Sequence, residues 1–187
     1  MFVCVGLLVH GCTSNTYFTL LFILALYLQD GLHKGPAYSG FALVVWVAAF
    51  GLAGPILPRL HRGVRRMPVI GCLILAVGYL SVLAYLMLGG LAGPLLFALL
   101  GIGGLGLGIS SNTLIGAVTS SMPAEYAADL SGVVATNVQL SGALGVALAG
   151  STYAALADDP SRALGVVLVG FVALTLIGAG AAHRLVR

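Results

Sequence analysis

The chain has 187 residues, of which 60% are hydrophobic and only 7% are charged, and its formal net charge at pH 7 is +3. A water-soluble globular domain carries about 25% charged residues, so this composition excludes that class and predicts an integral membrane protein. The net positive charge comes mainly from one loop and the C-terminus, with no basic patch interleaved with aromatic residues. We therefore expect a lipid bilayer as partner and no nucleic acid.

Six apolar runs follow one another along the chain. A membrane-spanning helix needs about 20 mostly apolar residues, and the runs cover approximately residues 2–28, 38–57, 68–88, 91–118, 130–156 and 163–182. The segments between them carry turn-forming residues such as Gly89-Gly90. After the fourth run, Ser121-Met-Pro-Ala-Glu125 predicts a short surface helix with Ser121 as its N-cap. The sequence thus predicts an all-α membrane protein, with residues 1–187 forming a single bundle of six transmembrane helices.

The loop after the second run is strongly basic. It reads Pro-Arg-Leu-His-Arg-Gly-Val-Arg-Arg over residues 58–66 and contains Arg59, Arg62, Arg65 and Arg66. Short loops rich in Lys and Arg stay on the cytoplasmic side of a membrane. With an even number of spans, this rule predicts a multi-pass protein of the cell membrane with both termini in the cytoplasm.

Polar side chains interrupt three of the spans. They include Asn15 and Thr16 in the first, Asn112 in the fourth, and Asn137 and Gln139 in the fifth. Because polar groups that face lipid are costly, these side chains should point inward. One interpretation is that they line a water-accessible cavity and contact a substrate. The other is that they form hydrogen bonds between helices, worth about 0.6 to 2 kcal/mol each.

Residues typical of metal, disulfide or proton-transfer chemistry are scarce. Cys4, Cys12 and Cys72 lie in apolar runs without CxxC spacing, so we predict no disulfide framework, no metal site and no cofactor. A proton-coupled transporter needs a titratable group that meets both water phases in turn. No carboxylate lies in the middle of a span, and His10 is the one ionisable side chain clearly within an apolar run. A lone His of this kind is more often a structural hydrogen-bonding residue, so the coupling ion stays open.

Glycines are dense in the fourth span, where Gly104-Leu-Gly-Leu-Gly108 matches the GxxxG pattern of closely packed helices. Close packing is the default interpretation of these glycines, and a flexible gating helix is the alternative.

Three stretches of the chain are together typical of one transporter family. The first stretch runs from Tyr17 to Gln29 and is followed by Ser39-Gly40. The second is Gly51-Leu-Ala-Gly-Pro55 together with the basic loop. The third consists of Gly104–Gly108, Met122-Pro-Ala-Glu125 and residues 131–145. They resemble the C-terminal half of a major facilitator superfamily transporter, most closely the fourteen-span drug:proton antiporters. The Asp expected in the basic loop is missing, and His61 stands nearest its place.

The resemblance implies a specific arrangement of the helices and a specific location for the functional residues. Spans one to three and four to six would form two inverted three-helix repeats, with the substrate site between two such halves near the midplane. Spans one, two, four and five would face the cavity, and the third and sixth would face lipid. The proton-coupling residues would lie in an N-terminal half that this chain does not contain.

The favoured hypothesis is a transporter half, and not an enzyme, that exports lipophilic drug-like compounds by proton antiport with alternating access. It would need an N-terminal half or a second copy of the chain as partner. The predicted substrate contacts are Asn15, Thr16, Asn112, Asn137 and Gln139, and the arginines at 59, 62, 65 and 66 would steady the inward-closed state.

Two alternatives stay open. One is a non-transporting membrane scaffold or a truncated fragment. The other is a rhomboid-like intramembrane protease using Ser110 and His183. The predicted topology argues against the protease because a nucleophile and its base must lie within hydrogen-bond reach.

Overall fold

The computed structural model describes residues 2–57, 66–90 and 93–186. Within these ranges the chain is helical and contains no strand. The helices are α1 (Phe2–Leu26), α2 (Pro36–Ile56), α3 (Met67–Met87), α4 (Pro94–Ser120), α5 (Ala127–Ala155) and α6 (Pro160–Val186), and α1 continues directly into a π-helical turn, Tyr27–Gly31. All six are long and apolar enough to cross a membrane. The prediction of an all-α protein with six membrane-spanning helices is therefore confirmed.

The helix starts are largely set by proline. Pro36, Pro94 and Pro160 each occupy the first position of a helix, where their missing N–H would have no partner within the helix in any case. The sixth helix consequently begins three residues before the predicted span and continues to Val186.

The predicted N-cap at Ser121 is wrong, although a short exposed 3-10 helix, Ala124–Tyr126, does carry Glu125 in its first turn. The Ser121 hydroxyl instead donates to the carbonyl oxygen of Val118, at 2.7 Å, and so closes the end of α4. Only a 3-10 turn, Ala124–Tyr126, precedes α5. The reason is Pro123, because a proline pushes the residue before it out of the helical region and separates Ser121 from the next helix.

The order of packing shows two inverted repeats. Helix α2 packs mainly on α4, and α5 packs mainly on α1; α3 also packs on α4, and α6 on α1. Two further contacts join α1 to α4 and α3 to α6. Exchanging α1 with α4, α2 with α5 and α3 with α6 reproduces these contacts, whereas the smaller contacts of α5 with α6 and of α1 with α2 have no counterpart of similar extent. Successive membrane-crossing helices run in alternate directions, so the two three-helix units are inverted, as in half of a major facilitator fold.

Glycines on α4 allow its close approach to two neighbours. A Cβ added to Gly104 or Gly108 would overlap the backbone carbonyl oxygens of Trp46 and Phe50 in α2. On another side of the helix, a Cβ on Gly106 would overlap the backbone of α3. Small residues permit this kind of backbone contact between membrane helices. The prediction that the GxxxG pattern serves close packing is confirmed.

Large aromatic side chains fill the interior beside these contacts. Trp46 is 1% exposed and covers Gly103, where a Cβ would collide with its ring. The Trp46 ring stacks on Tyr79 with 5.8 Å between ring centroids, and Tyr79 in turn contacts Phe171 at 5.3 Å. These ring contacts connect α2 through α3 to α6. They hold the three helices together next to α4, which Trp46 contacts at Gly103.

Candidate functional site

A cavity of about 250 Å³ lies between α1, α2, α4 and α5. These are the four helices that the family resemblance assigns to the substrate cavity. The described residues of α3 and α6 contribute nothing to its wall. The wall combines three kinds of side chain: aromatic rings, a small polar group and aliphatic residues of α4 and α5.

The aromatic part of the wall comes from α1 and α2. The Tyr17 ring lies 4.9 Å from the Phe18 ring in an edge-to-face arrangement and 5.6 Å from the Phe50 ring, measured between centroids. Phe18 is held over Gly142 of α5, where an added Cβ would lie 2.9 Å from the Phe18 Cδ2 atom. Aromatic faces accept apolar groups, and through their π-electrons they also attract cations.

The polar part of the wall comes from α1 and α4. Ser14 and Ser111 are buried, and Asn112 is exposed at the cavity. The Asn112 amide nitrogen Nδ2 donates to the carbonyl oxygen of Gly108 in its own helix, at 2.8 Å. An asparagine side chain has two N–H donors and an acceptor oxygen, so this bond uses only part of its capacity. His10 also reaches the wall and is 5% exposed.

Asn15 and Asn137 form hydrogen bonds between α1 and α5. The Asn15 Nδ2 atom donates to the carbonyl oxygen of Ser141, at 2.9 Å, and the Asn137 Nδ2 atom donates to that of Leu7, at 3.1 Å. Each asparagine thus holds the backbone of the other helix. These bonds are the contacts that the second interpretation of the intramembrane polar residues predicts.

Each of these two asparagines lies over a glycine of the facing helix. A Cβ on Gly145 would lie 2.7 Å from Oδ1 of Asn15, and a Cβ on Gly11 would lie 3.1 Å from Oδ1 of Asn137. In both cases the carbonyl that accepts the hydrogen bond belongs to the residue four positions before the glycine. A missing side chain therefore exposes a backbone oxygen, and the amide of the other helix reaches it.

The other two predicted substrate residues lie away from the cavity. Thr16 is 0% exposed, and its hydroxyl donates to the Thr13 carbonyl oxygen at 2.8 Å. Gln139 is exposed on α5 and is not part of the wall. Among the five predicted residues, Asn112 is the one that the structure brings to the cavity. No observation tests substrate contact, so the set remains a prediction.

Sequence reasoning missed four residues of α1 that line the cavity: His10, Ser14, Tyr17 and Phe18. The last three follow His10 by four, seven and eight positions, a spacing that places all four on one face of a helix. This periodicity was the signal that could have found them, because Asn15 lies about 100° around the helix from Ser14.

Most of the basic loop lies outside the described residues. This applies to Arg59, Arg62 and Arg65, whereas Arg66 is exposed immediately before α3. The gating role assigned to the four arginines therefore remains a prediction.

Ser110 has surroundings unlike those of a catalytic serine. It is 0% exposed, and its Oγ atom lies 3.2 Å from Sγ of Cys72. His183 is exposed in the last turn of α6. A nucleophilic serine needs a base within hydrogen-bond reach, and the neighbour of Ser110 is a thiol. In the part of the chain that the structure describes, no group of three or more His, Cys, Asp or Glu residues could hold a metal ion.

Comparison with protein families gives a match over most of the chain. No curated protein matches the chain. The sequence model described as Major Facilitator Superfamily matches residues 1–146, which reach from the start of the chain into α5. This stretch is well over half of the chain and includes every residue that lines the cavity. The chain therefore belongs to the major facilitator superfamily, a family of multi-pass membrane transporters.

Proposed function

We propose that this chain is the C-terminal half of an exporter of lipophilic, drug-like compounds, coupled to protons by antiport and located in the cell membrane with both termini in the cytoplasm. The observation that carries the proposal is the cavity wall, where the Tyr17, Phe18 and Phe50 rings lie beside Asn112 and two serines. Small-molecule sites are typically apolar and aromatic, with a few polar groups that fix orientation.

The size of the cavity favours a shared site. Its volume of about 250 Å³ is slightly below the usual range of about 300 to 1,000 Å³ for small-molecule sites. In this fold the substrate lies between two bundles that rock against each other. We propose that a second bundle, either an N-terminal half or another copy of the chain, provides the opposite wall. Helices α2 and α5 are the least buried of the six, which leaves them surface for such a partner.

Within the proposal, the predicted substrate residues have different ranks. Asn112 is the first candidate because it lines the cavity and has unused hydrogen-bonding capacity. Asn15 and Asn137 come next, because their amides hold α1 to α5 and neither side chain lines this cavity. Thr16 and Gln139 come last. The four arginines of the basic loop would stabilise the inward-closed state.

Export of a fluorescent lipophilic cation tests the proposal. Cells would express this chain alone or together with a matching N-terminal half. We expect export that is reduced by Asn112→Ala and unchanged by Thr152→Ala. Thr152 is a matched control because its side chain also bonds within its own helix, to the Leu148 carbonyl at 2.8 Å, but lies outside the cavity.

Absence of export in both cell types, with the chain inserted in the membrane, would contradict the proposal and favour the non-transporting scaffold or fragment. Export by the chain alone would identify a second copy as the partner.

A further inference from the structure

A groove lies between the start of α1 and the end of α6. It has a volume of about 520 Å³, within the range of about 300 to 1,000 Å³ that is usual for small-molecule sites. Its wall is formed by Cys4, Val5 and Leu8 of α1 and by residues of α6 that include Ile177, Gly180 and Arg184. None of these residues lines the cavity between α1, α2, α4 and α5. The groove is therefore a separate candidate site.

Most of the groove wall is apolar and faces outward. Leu8 is 54% exposed and Ile177 is 60% exposed. A Cβ added to Gly180 would meet nothing within 4 Å, so the missing side chain leaves open space in the wall. Ile177 and Arg184 are seven residues apart, and the groove therefore extends about 10 Å along α6. On a membrane-spanning helix, an exposed apolar surface of this kind meets the hydrocarbon chains of lipids.

One end of the groove is cationic. Arg184 is exposed in the last turn of α6 and is the one charged residue among the described residues of the wall. No carboxylate among those residues neutralises it. Because successive spans alternate in direction, this end of α6 lies on the same side of the bundle as Arg66, just before α3. The positive-inside rule predicts that this is the cytoplasmic side, where the lipid surface is negatively charged.

We propose that the groove binds one anionic phospholipid, with an acyl chain between Leu8 and Ile177 and the phosphate at the Arg184 guanidinium. A guanidinium can donate two parallel hydrogen bonds to phosphate oxygens. The exposed apolar wall favours a lipid over a soluble phosphate compound, because only the lipid brings a chain that covers this wall. Any arginine at a membrane surface meets lipid headgroups, and the groove adds a defined place for the chain. This inference rests on the membrane-spanning bundle and is independent of transport.

Cys4 can report where the lipid binds. It is exposed and lines the groove, whereas Cys72 is buried. In the purified full chain carrying Cys12→Ser, bound lipid should slow the reaction of Cys4 with a fluorogenic maleimide. We expect phosphatidylglycerol to protect Cys4 at a concentration about fivefold lower than phosphatidylcholine with the same acyl chains, a factor that one arginine contributes at an anionic lipid surface. Equal protection by the two lipids, or none by either, would overturn the proposal.

Two pairs of variants separate the charge of the groove from its shape. Arg184→Gln should abolish the preference for phosphatidylglycerol, and Arg162→Gln, in the first turn of α6, should keep it. Gly180→Leu should fill the groove and weaken protection by both lipids. Gly170→Leu is its matched control, because a Cβ there also meets nothing within 4 Å but lies outside the groove. Wild-type protection in Gly180→Leu would contradict the proposal, and if that variant does not fold, the arginine pair decides.

Glycerol phosphate, which carries no acyl chain, distinguishes a lipid from a soluble phosphate compound. At concentrations at which phosphatidylglycerol protects Cys4, we expect glycerol phosphate to leave the reaction rate unchanged and to leave the protection by the lipid intact. Equal protection by glycerol phosphate would identify a soluble phosphate compound as the ligand and would overturn the assignment to a lipid.

Discussion

Replacement of Gly106 by alanine tests whether backbone contact between α3 and α4 holds the bundle together. The added Cβ would overlap the backbone nitrogen of Leu75 and lie 2.9 Å from the carbonyl oxygen of Gly71. A backbone atom cannot rotate away as the end of a side chain can. The two helices must therefore move apart, and the contacts along their whole interface weaken.

The magnitude follows from comparison with Gly101→Ala in the same helix. A Cβ on Gly101 meets nothing within 4 Å. Both variants gain about 1 kcal/mol in helix propensity, because alanine is the better helix former. The difference between them isolates the cost of overpacking, typically about 1 to 3 kcal/mol. A difference of about 2 kcal/mol corresponds to about 4 to 8 °C in the melting temperature of a chain of this size.

Cys72 provides the assay. It lies beside Gly71 on α3 and is 0% exposed, so it should react with a fluorogenic maleimide only when the helix packing around it opens. Replacing Cys4 and Cys12 by serine removes the thiols that are more accessible. We expect Gly106→Ala to melt below Gly101→Ala. If Gly106→Ala melted at the same temperature or higher, the argument from backbone overlap would be refuted.

Three further predictions concern the α1–α5 contact and the topology. Asn137→Ala loses the bond to the Leu7 carbonyl and should lower the free energy of unfolding by about 0.6 to 2 kcal/mol, measured by thermal melting; an unchanged melt would show that the bond contributes nothing. Gly145→Ala should displace the Thr19 hydroxyl and the Asn15 amide, so in a mutant cycle its cost should largely disappear in a background that carries both Thr19→Ala and Asn15→Ala, whereas simple additivity would contradict these contacts. A fluorescent protein fused after residue 187 should fluoresce while alkaline phosphatase at the same place stays inactive, and the reverse would place the C-terminus outside.

The helices could be predicted from the sequence because the membrane imposes a simple rule. A lipid-exposed backbone must satisfy its own hydrogen bonds, so a long apolar run becomes a helix whatever its detailed sequence. The π-helical turn at Tyr27–Gly31 could not be predicted in this way. Nothing in its residues distinguishes a π-helix, in which each hydrogen bond joins residues five apart, from an α-helix, in which it joins residues four apart. That choice depends on how the end of α1 packs against its neighbours.

The candidate site could be predicted only in part, because composition does not show in which direction a side chain points from its helix. Asn15 and Asn112 look equivalent in the sequence, since each lies in an apolar run beside serine and threonine. In the fold, Asn15 reaches across to Ser141 and Asn112 reaches the cavity. Neighbouring residues of a helix point about 100° apart. A rotation of the helix about its axis by this angle therefore decides whether a side chain forms a bond to another helix or lies at the cavity. The rotation of α1 is set by α5, which lies more than a hundred residues later in the chain.

The two repeats solve the same packing problem by different means, and the difference determines which residues face the cavity. In the α1–α5 pair, Asn15 and Asn137 donate to the facing backbone, so their amides are committed to holding two helices together. In the equivalent α2–α4 pair, Gly104 and Gly108 bring the backbones into direct contact and no side-chain amide is needed. Among the residues that the structure describes, Asn112 bonds to its own helix and therefore keeps donor and acceptor capacity at the cavity. Substitution of Asn112 should consequently leave the helix contacts intact, whereas substitutions of the α1–α5 asparagines should lower stability.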